Sequence, residues 1–179
     1  MLQNNAIYSE HIFDLAKNKK DEMFYNSSAD HAIVVHQALA KYAEQYIEIL
    51  CGSMCTEISN NTTYLNNLRD FLEKKSDNRI RILFTDYRKD DFEKQDVAKL
   101  FAQYPEQVDI RKYDGQVSYA NQPVHFTVTG NNSFRLETDI EKHMAFGNFN
   151  SSTQAETLHN LFQKLFASQE LTSPIHISC

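Results

Sequence analysis

The chain has 179 residues, 41% of them hydrophobic and 23% charged, and its 18 basic residues against 24 acidic ones give a net charge of −6. That length suffices for one domain with a real core, and the scarcity of Gly (4) and Pro (3) excludes collagen-like, low-complexity and linker-rich chains. An acidic surface disfavours broad binding to phosphate backbones, and no apolar run reaches the length of a membrane span. Three cysteines with no visible export signal point to a cytoplasmic protein without a disulfide framework.

Residues 1–22 carry one amphipathic piece, SEHIFDLAKNKK, with Ile12, Phe13 and Ala16 on one side. It predicts a short helix packed on the domain or on a partner. MFYNS (23–27) reads as a brief strand, and Ser27 or Ser28 is a suitable N-cap for a helix over roughly 29–44. That helix places Val34, Val35, Ala38, Leu39 and Tyr42 at helical spacing. QYIEILCG (45–52) predicts a buried strand. TYLNNLRDFLEKKS predicts a helix with a stripe of Leu65, Leu68, Phe71 and Leu72.

RIRILFTD (79–86) alternates as a strand does, DVAKLFAQY predicts a short helix stopped by Pro105, and VDIRKY (108–113) predicts another strand. HFTVTGNNSFRLET then reads as two strands joined at Gly130-Asn131-Asn132, a run that tolerates positive φ. HMAFGNFN (143–150) predicts a third strand of this meander. Residues 153–168 predict the closing helix, with Ala155, Leu158, Leu161, Phe162, Leu165 and Phe166 on one face. The order, β-α-β-α-β-α-β followed by β-β-β-α, predicts an α/β sandwich: a mixed sheet covered by helices on both faces.

Two segments carry the candidate chemistry. PVHFTVTGNN places His125, Thr127 and Thr129 on one face of a strand that runs into Asn132. FGNFNSS places Gly147, Asn148 and Asn150 at the end of another strand, directly before the closing helix. This ordering resembles the phospholipase D-like superfamily, whose signature is His-x-Lys, four residues, Asp, and then Gly-Ser-x-Asn on the next strand. His125 matches the His, and Gly147 and Asn150 match the Gly and Asn, over a likeness covering most of residues 23–168. The pattern departs at Thr127 in place of Lys, Asn132 in place of Asp and Asn148 in place of Ser, and RLETDIEKH lies between the turn and Gly147.

The resemblance implies a layout of N-terminal arm (1–22), phospholipase D-like domain (23–168) and C-terminal tail (169–179). It also implies a homodimer, since the family builds its site from two halves, each giving a His near the dyad. One His is the phosphorus nucleophile, the other protonates the leaving group, the Lys pair offsets phosphate charge and the acid supports the imidazole, with no metal or cofactor. Thr brings no positive charge and Asn cannot stabilise an imidazolium. Losing preorganised charge of this kind costs on the order of 10²–10³ in rate per group.

Three readings therefore stand. The first is a catalytically degenerate binding or assembly module with a protein partner, in which Thr127, Arg135 and Asn148 meet a ligand. The second is a metal-independent phosphodiesterase or nuclease using His125 as nucleophile with Asn132 and Asn150, Arg135, Arg111 or Lys112 supplying the missing charge. The third is a structural protein that has lost its site. Nucleic acid is not favoured by the net charge.

Other groups have plainer readings. Cys51 and Cys55 lack a second pair for zinc and read as incidental thiols, and Cys179 as a tail thiol. His31 and His36 read as surface histidines. His143 near Glu141 and His159 near Glu156 lack a third partner. The basic groups of RDFLEKKSDNRIR read as a solvated face, and the Gly-Asn-Asn turn offers at most a weak backbone nest for an anion.

Overall fold

Three strand-period segments, β2 (Tyr46–Cys51), β3 (Arg79–Phe84) and β4 (Val108–Tyr113), form the parallel centre of an eight-stranded mixed sheet in the computed structural model, which describes residues 2–177. The other elements are α1 (Leu2–Lys17), β1 (Met23–Ser27), α2 (Ala29–Tyr42), α3 (Thr56–Ser59), α4 (Thr62–Lys74), α5 (Lys89–Phe92), α6 (Asp96–Phe101), β5 (Ser118–Tyr119), β6 (Gln122–Pro123), β7 (His125–Thr129), β8 (Ser133–Asp139), β9 (Met144–Asn148), α7 (Ser152–Phe166) and β10 (Thr172–Pro174). The sheet order is β1-β9-β8-β7-β2-β3-β4-β10. The meander β7–β8–β9 and strand β1 make an antiparallel wing on one side of the parallel centre, and β10 closes the other edge against β4.

Each sheet face is covered by helix, as the alternating pattern requires. Ile49, Ile80, Ile82 and Phe84 point one way and bury against Tyr64, Leu68 and Phe71 of α4 and Leu100 and Phe101 of α6. Leu50, Leu83, Phe126, Val128 and Phe134 point the other way and bury against Ala155, Phe162 and Phe166 of α7. Ser28 caps α2, its hydroxyl accepting from the His31 amide at 3.2 Å, so the second of the two expected serines serves.

The N-terminal helix is longer than the short piece expected, and it packs on this chain: Ile12, Leu15 and Ala16 bury with Val35, Leu39 and Phe149. The short elements α3, α5, β5, β6 and β10 carry too few residues to show a period and were not anticipated. Residues 172–174, expected within a tail, pair with β4. Cys179 lies outside the described residues. No described helix is long and apolar enough to cross a membrane.

Gly147 explains itself by packing. It sits opposite Arg135 on one side and Phe24 on the other. A Cβ there would lie 2.2 Å from the Phe134 carbonyl oxygen and 2.4 Å from the Phe24 ring. Neither neighbour has room to retreat, because both are buried. Gly147→Ala is therefore expected to destabilise the fold by about 1–3 kcal/mol, read as a lowered urea midpoint with an unchanged m-value. An unaltered midpoint would contradict the register of β9.

Candidate functional site

At the carboxyl ends of β2 and β3 the sheet opens into a cavity of about 390 Å³. This is where open α/β sheets place ligands, because the chain leaves the sheet there and loops form the rim. His125 borders it, at the first residue of β7. The hairpin register sets Glu137 opposite His125 and Arg135 opposite Thr127, with all four side chains on the same face.

His125 is held at both ring nitrogens. The Gly52 amide donates to Nε2 at 2.8 Å, so that nitrogen carries no proton. The proton therefore sits on Nδ1, which donates to Glu137 Oε2 at 3.2 Å. Arg135, only 3% exposed, donates from Nη2 to Glu137 Oε1 at 2.8 Å and from Nε to Asn26 Oδ1 at 3.0 Å. Asn26 in turn donates to the His143 carbonyl, and His143 Nδ1 lies 3.5 Å from Glu137 Oε1. A single buried carboxylate thus serves two histidines and one guanidinium drawn from three segments.

Burial alone would raise the Glu137 carboxyl. The His125 hydrogen bond and the Arg135 charge outweigh it and hold the group down to about 2. His36, on α2, lines the same cavity. Burial above all, and then the Arg135 charge, push it down to about 3, so it is neutral at physiological pH. Burial also raises the thiol of Cys51 and the phenol of Tyr64, which keeps both protonated.

The structure brings together only some of the residues expected at the site. His125, Thr127 and Arg135 line the cavity, with Thr127 buried. Asn132 lies beyond the far end of β7, exposed and at φ 64, and β7 itself spans about 13 Å between its ends. It does not reach His125, and Glu137 occupies the imidazole-supporting position instead. Asn148 and Asn150 also sit at the far end of the meander. Asn148 is buried, donating to Asp21 Oδ1 at 2.8 Å and accepting from the Asn150 amide at 2.7 Å, which ties down the entry to α7.

Arg111 pairs with Asp109 and the Phe166 carbonyl, and Lys112 pairs with Asp114. Both lie on β4, three strand spacings from β7, or about 14 Å. Among the histidines, His36 is a cavity residue and not a surface one. His143 meets Glu137 and not Glu141. His159 meets Glu48, a fully buried carboxylate on the opposite sheet face, at 2.9 Å. The Asn131 side chain of the turn is used internally, bonded to Thr129 and to the Tyr42 carbonyl. Cys51 is a buried free thiol and Cys55 a partly buried one. Among the described residues no group of three His, Cys, Asp or Glu side chains is arranged so that it could hold a metal ion.

A family model described as a domain of unknown function (DUF7931) matches residues 28–173. No curated protein matches the chain. Among solved structures, Nuc from Salmonella typhimurium, a phospholipase D family member, is similar at 12% identity and TM-score 0.54, over 88% of this chain and 98% of Nuc. Phosphatidylserine synthase of Haemophilus influenzae Rd KW20 is similar at 12% identity and TM-score 0.50, over 86% of this chain and 39% of that one. TrmBL2, an archaeal chromatin protein with a novel mode of DNA binding, is similar at 8% identity and TM-score 0.64, over 97% of this chain and 64% of that one. The chain thus spans less than two thirds of the last two. At these identities the likeness speaks to fold, and the fold is phospholipase D-like.

The cavity's titrating groups set an acid limit. His36 falls from 6.5 to about 3 on folding, so the unfolded chain gains a proton first as pH drops, and stability present above pH 6.5 is lost toward pH 3. Glu137 falls from 4.5 to about 2, and its contribution is lost in turn as pH drops from 4.5 toward 2. The urea midpoint is expected to fall on acidification through pH 6.5, and His36→Asn to flatten that upper part of the slope. An identical slope in the variant would contradict the buried, neutral state of His36.

Proposed function

We propose that this chain, which belongs to the family of the domain of unknown function DUF7931, is a phospholipase D-like module that binds at its His125 cavity without turning over a phosphodiester. The observation that carries this reading is the hydrogen bonding of His125 at both nitrogens. A histidine attacking phosphorus needs the Nε2 lone pair free, and here that lone pair accepts from the Gly52 amide. Glu137 does support Nδ1 as a catalytic carboxylate would. Orientation without a free nucleophile, and with the one lining guanidinium already paired to Glu137, is not sufficient for the chemistry.

The cation is the second deficit. Thr127 stands where the resemblance puts Lys. Arg135 is divided between Glu137 and Asn26, and Arg111 and Lys112 are too distant. DNA binding of the TrmBL2 kind is disfavoured by the net charge of −6. A homodimer belongs to the same proposal. Coverage of 98% of Nuc but only 39% of the synthase supports a single-unit chain, and the resemblance implies that two such units meet with their histidines near a dyad.

The purified protein in EDTA is expected to leave bis(4-nitrophenyl) phosphate and single- and double-stranded DNA uncleaved, at a rate indistinguishable from that of His125→Ala. Sedimentation equilibrium is expected to give twice the 20.8 kDa mass of one chain. Hydrolysis that disappears in His125→Ala would overturn the silent reading and establish His125 as a nucleophile.

A further inference from the structure

Resting on the binding reading above, we infer that the His125 cavity takes a small, uncharged, largely apolar molecule bearing a carbonyl-type acceptor, and that it rejects phosphates. A volume of about 390 Å³ suits a small molecule and not a polymer. The walls are apolar: Ile49, Met54, Ile58, Tyr64 and Ile140. A ligand gains most of its affinity by burying a hydrocarbon body against them.

Polar recognition falls to two groups. Arg135 uses Nε on Asn26 and Nη2 on Glu137, which leaves Nη1 without a hydrogen-bond partner among the described residues. Nη1 is not among the fully buried unpaired atoms, so it keeps some accessible surface, and Arg135 is one of the residues that line the cavity. The His36 ring nitrogens likewise have no hydrogen-bond partner among the described residues, and His36 also lines the cavity. A buried guanidinium donor with a free N–H calls for an acceptor atom, because leaving it unmet costs stability.

The charge of the ligand follows from the lining. Of the guanidinium and carboxylate groups on the lining, Arg135 is paired with Glu137 at 2.8 Å and Asp86 is paired with Arg88 at 2.9 Å, so neither pair leaves an unmatched cation for an anionic ligand. A phosphate or carboxylate would have to share Arg135 with Glu137, already bonded at 2.8 Å, and would meet that carboxylate's negative charge at short range. A cation would meet the guanidinium itself. A neutral carbonyl satisfies Nη1 and adds no charge. The single-cation lining is what separates this cavity from a phosphate site, which gathers several cationic donors.

Three probes that share a phenyl body and differ in the head test this directly: phenylacetamide, phenylacetate and phenyl phosphate. Each is titrated into the full chain at neutral pH while the amide shifts of Gly52, Ser53 and Cys55 are followed. Ile58→Trp and, separately, Met54→Trp fill the cavity, with circular dichroism confirming that each variant folds. Saturable shifts are expected from phenylacetamide, with binding roughly tenfold weaker for the two anions and for phenylacetamide in either Trp variant. Phenyl phosphate binding as tightly as the amide, or an amide that fails to saturate or ignores both Trp variants, would overturn the inference. Phosphate binding without hydrolysis would sink this inference alone and leave the silent module standing. Turnover of bis(4-nitrophenyl) phosphate that is lost in His125→Ala would sink the reading beneath it.

Discussion

The buried carboxylate of Glu137 is the group on which the rest of the site depends. It holds His125 on one oxygen and Arg135 on the other, with His143 within reach. An unpaired guanidinium or carboxylate at this depth would be costly, and each is acceptable only because the other is present. The network spans β1, β7, β8 and the loop entering β9. The antiparallel wing therefore has one solution for its register near the cavity: sliding β8 by one residue would carry Glu137 and Arg135 together to the opposite face and strand both His125 and Asn26.

The same logic is repeated on the other side of the sheet. Glu48 is fully buried on β2 and is met by His159 and Gln163 of α7 and by Arg81 of β3. One buried acid thus fixes the wing and another fixes the closing helix. The two clusters lie on opposite faces of the sheet, each with a buried carboxylate at its centre and partly exposed histidines at its margin. The cavity forms where the first of these clusters reaches the carboxyl ends of the parallel strands, under α2 and α3.

Much of the fold was legible because it rests on local periodicity. The helix expected with a stripe of Leu65, Leu68, Phe71 and Leu72 forms over residues 62–74, with Leu68, Phe71 and Leu72 buried, Tyr64 buried beside them and Leu65 only partly so, and β3 and β4 appear at their full length or nearly so. What escaped was set by distant pairing or by brevity, as with the three-residue β10. The site was legible in part. His125 and Arg135 could be picked out by residue type, but Glu137 required the hairpin register. A turn centred on Asn131 pairs position 125 with 137 and 127 with 135, so that signal was present once the turn was recognised. His36 lay on the Ala32–Val35–Leu39 side of its helix, four residues after Ala32 and three before Leu39. Asn132 and Asn150 were drawn in by motif spacing alone, and spacing along the chain does not measure distance across a sheet.

The central claim is that the His125 lone pair at Nε2 is engaged inside the chain. Long-range ¹H–¹⁵N correlation of the imidazole, assigned with His125→Gln, tests it most directly when read together with exchange of the Gly52 amide. The account predicts a neutral ring protonated at Nδ1, an unprotonated Nε2, and a Gly52 amide protected from exchange. A ring protonated at Nε2, or a Gly52 amide that exchanges as freely as an exposed loop, would contradict it and return His125 to the pool of available nucleophiles.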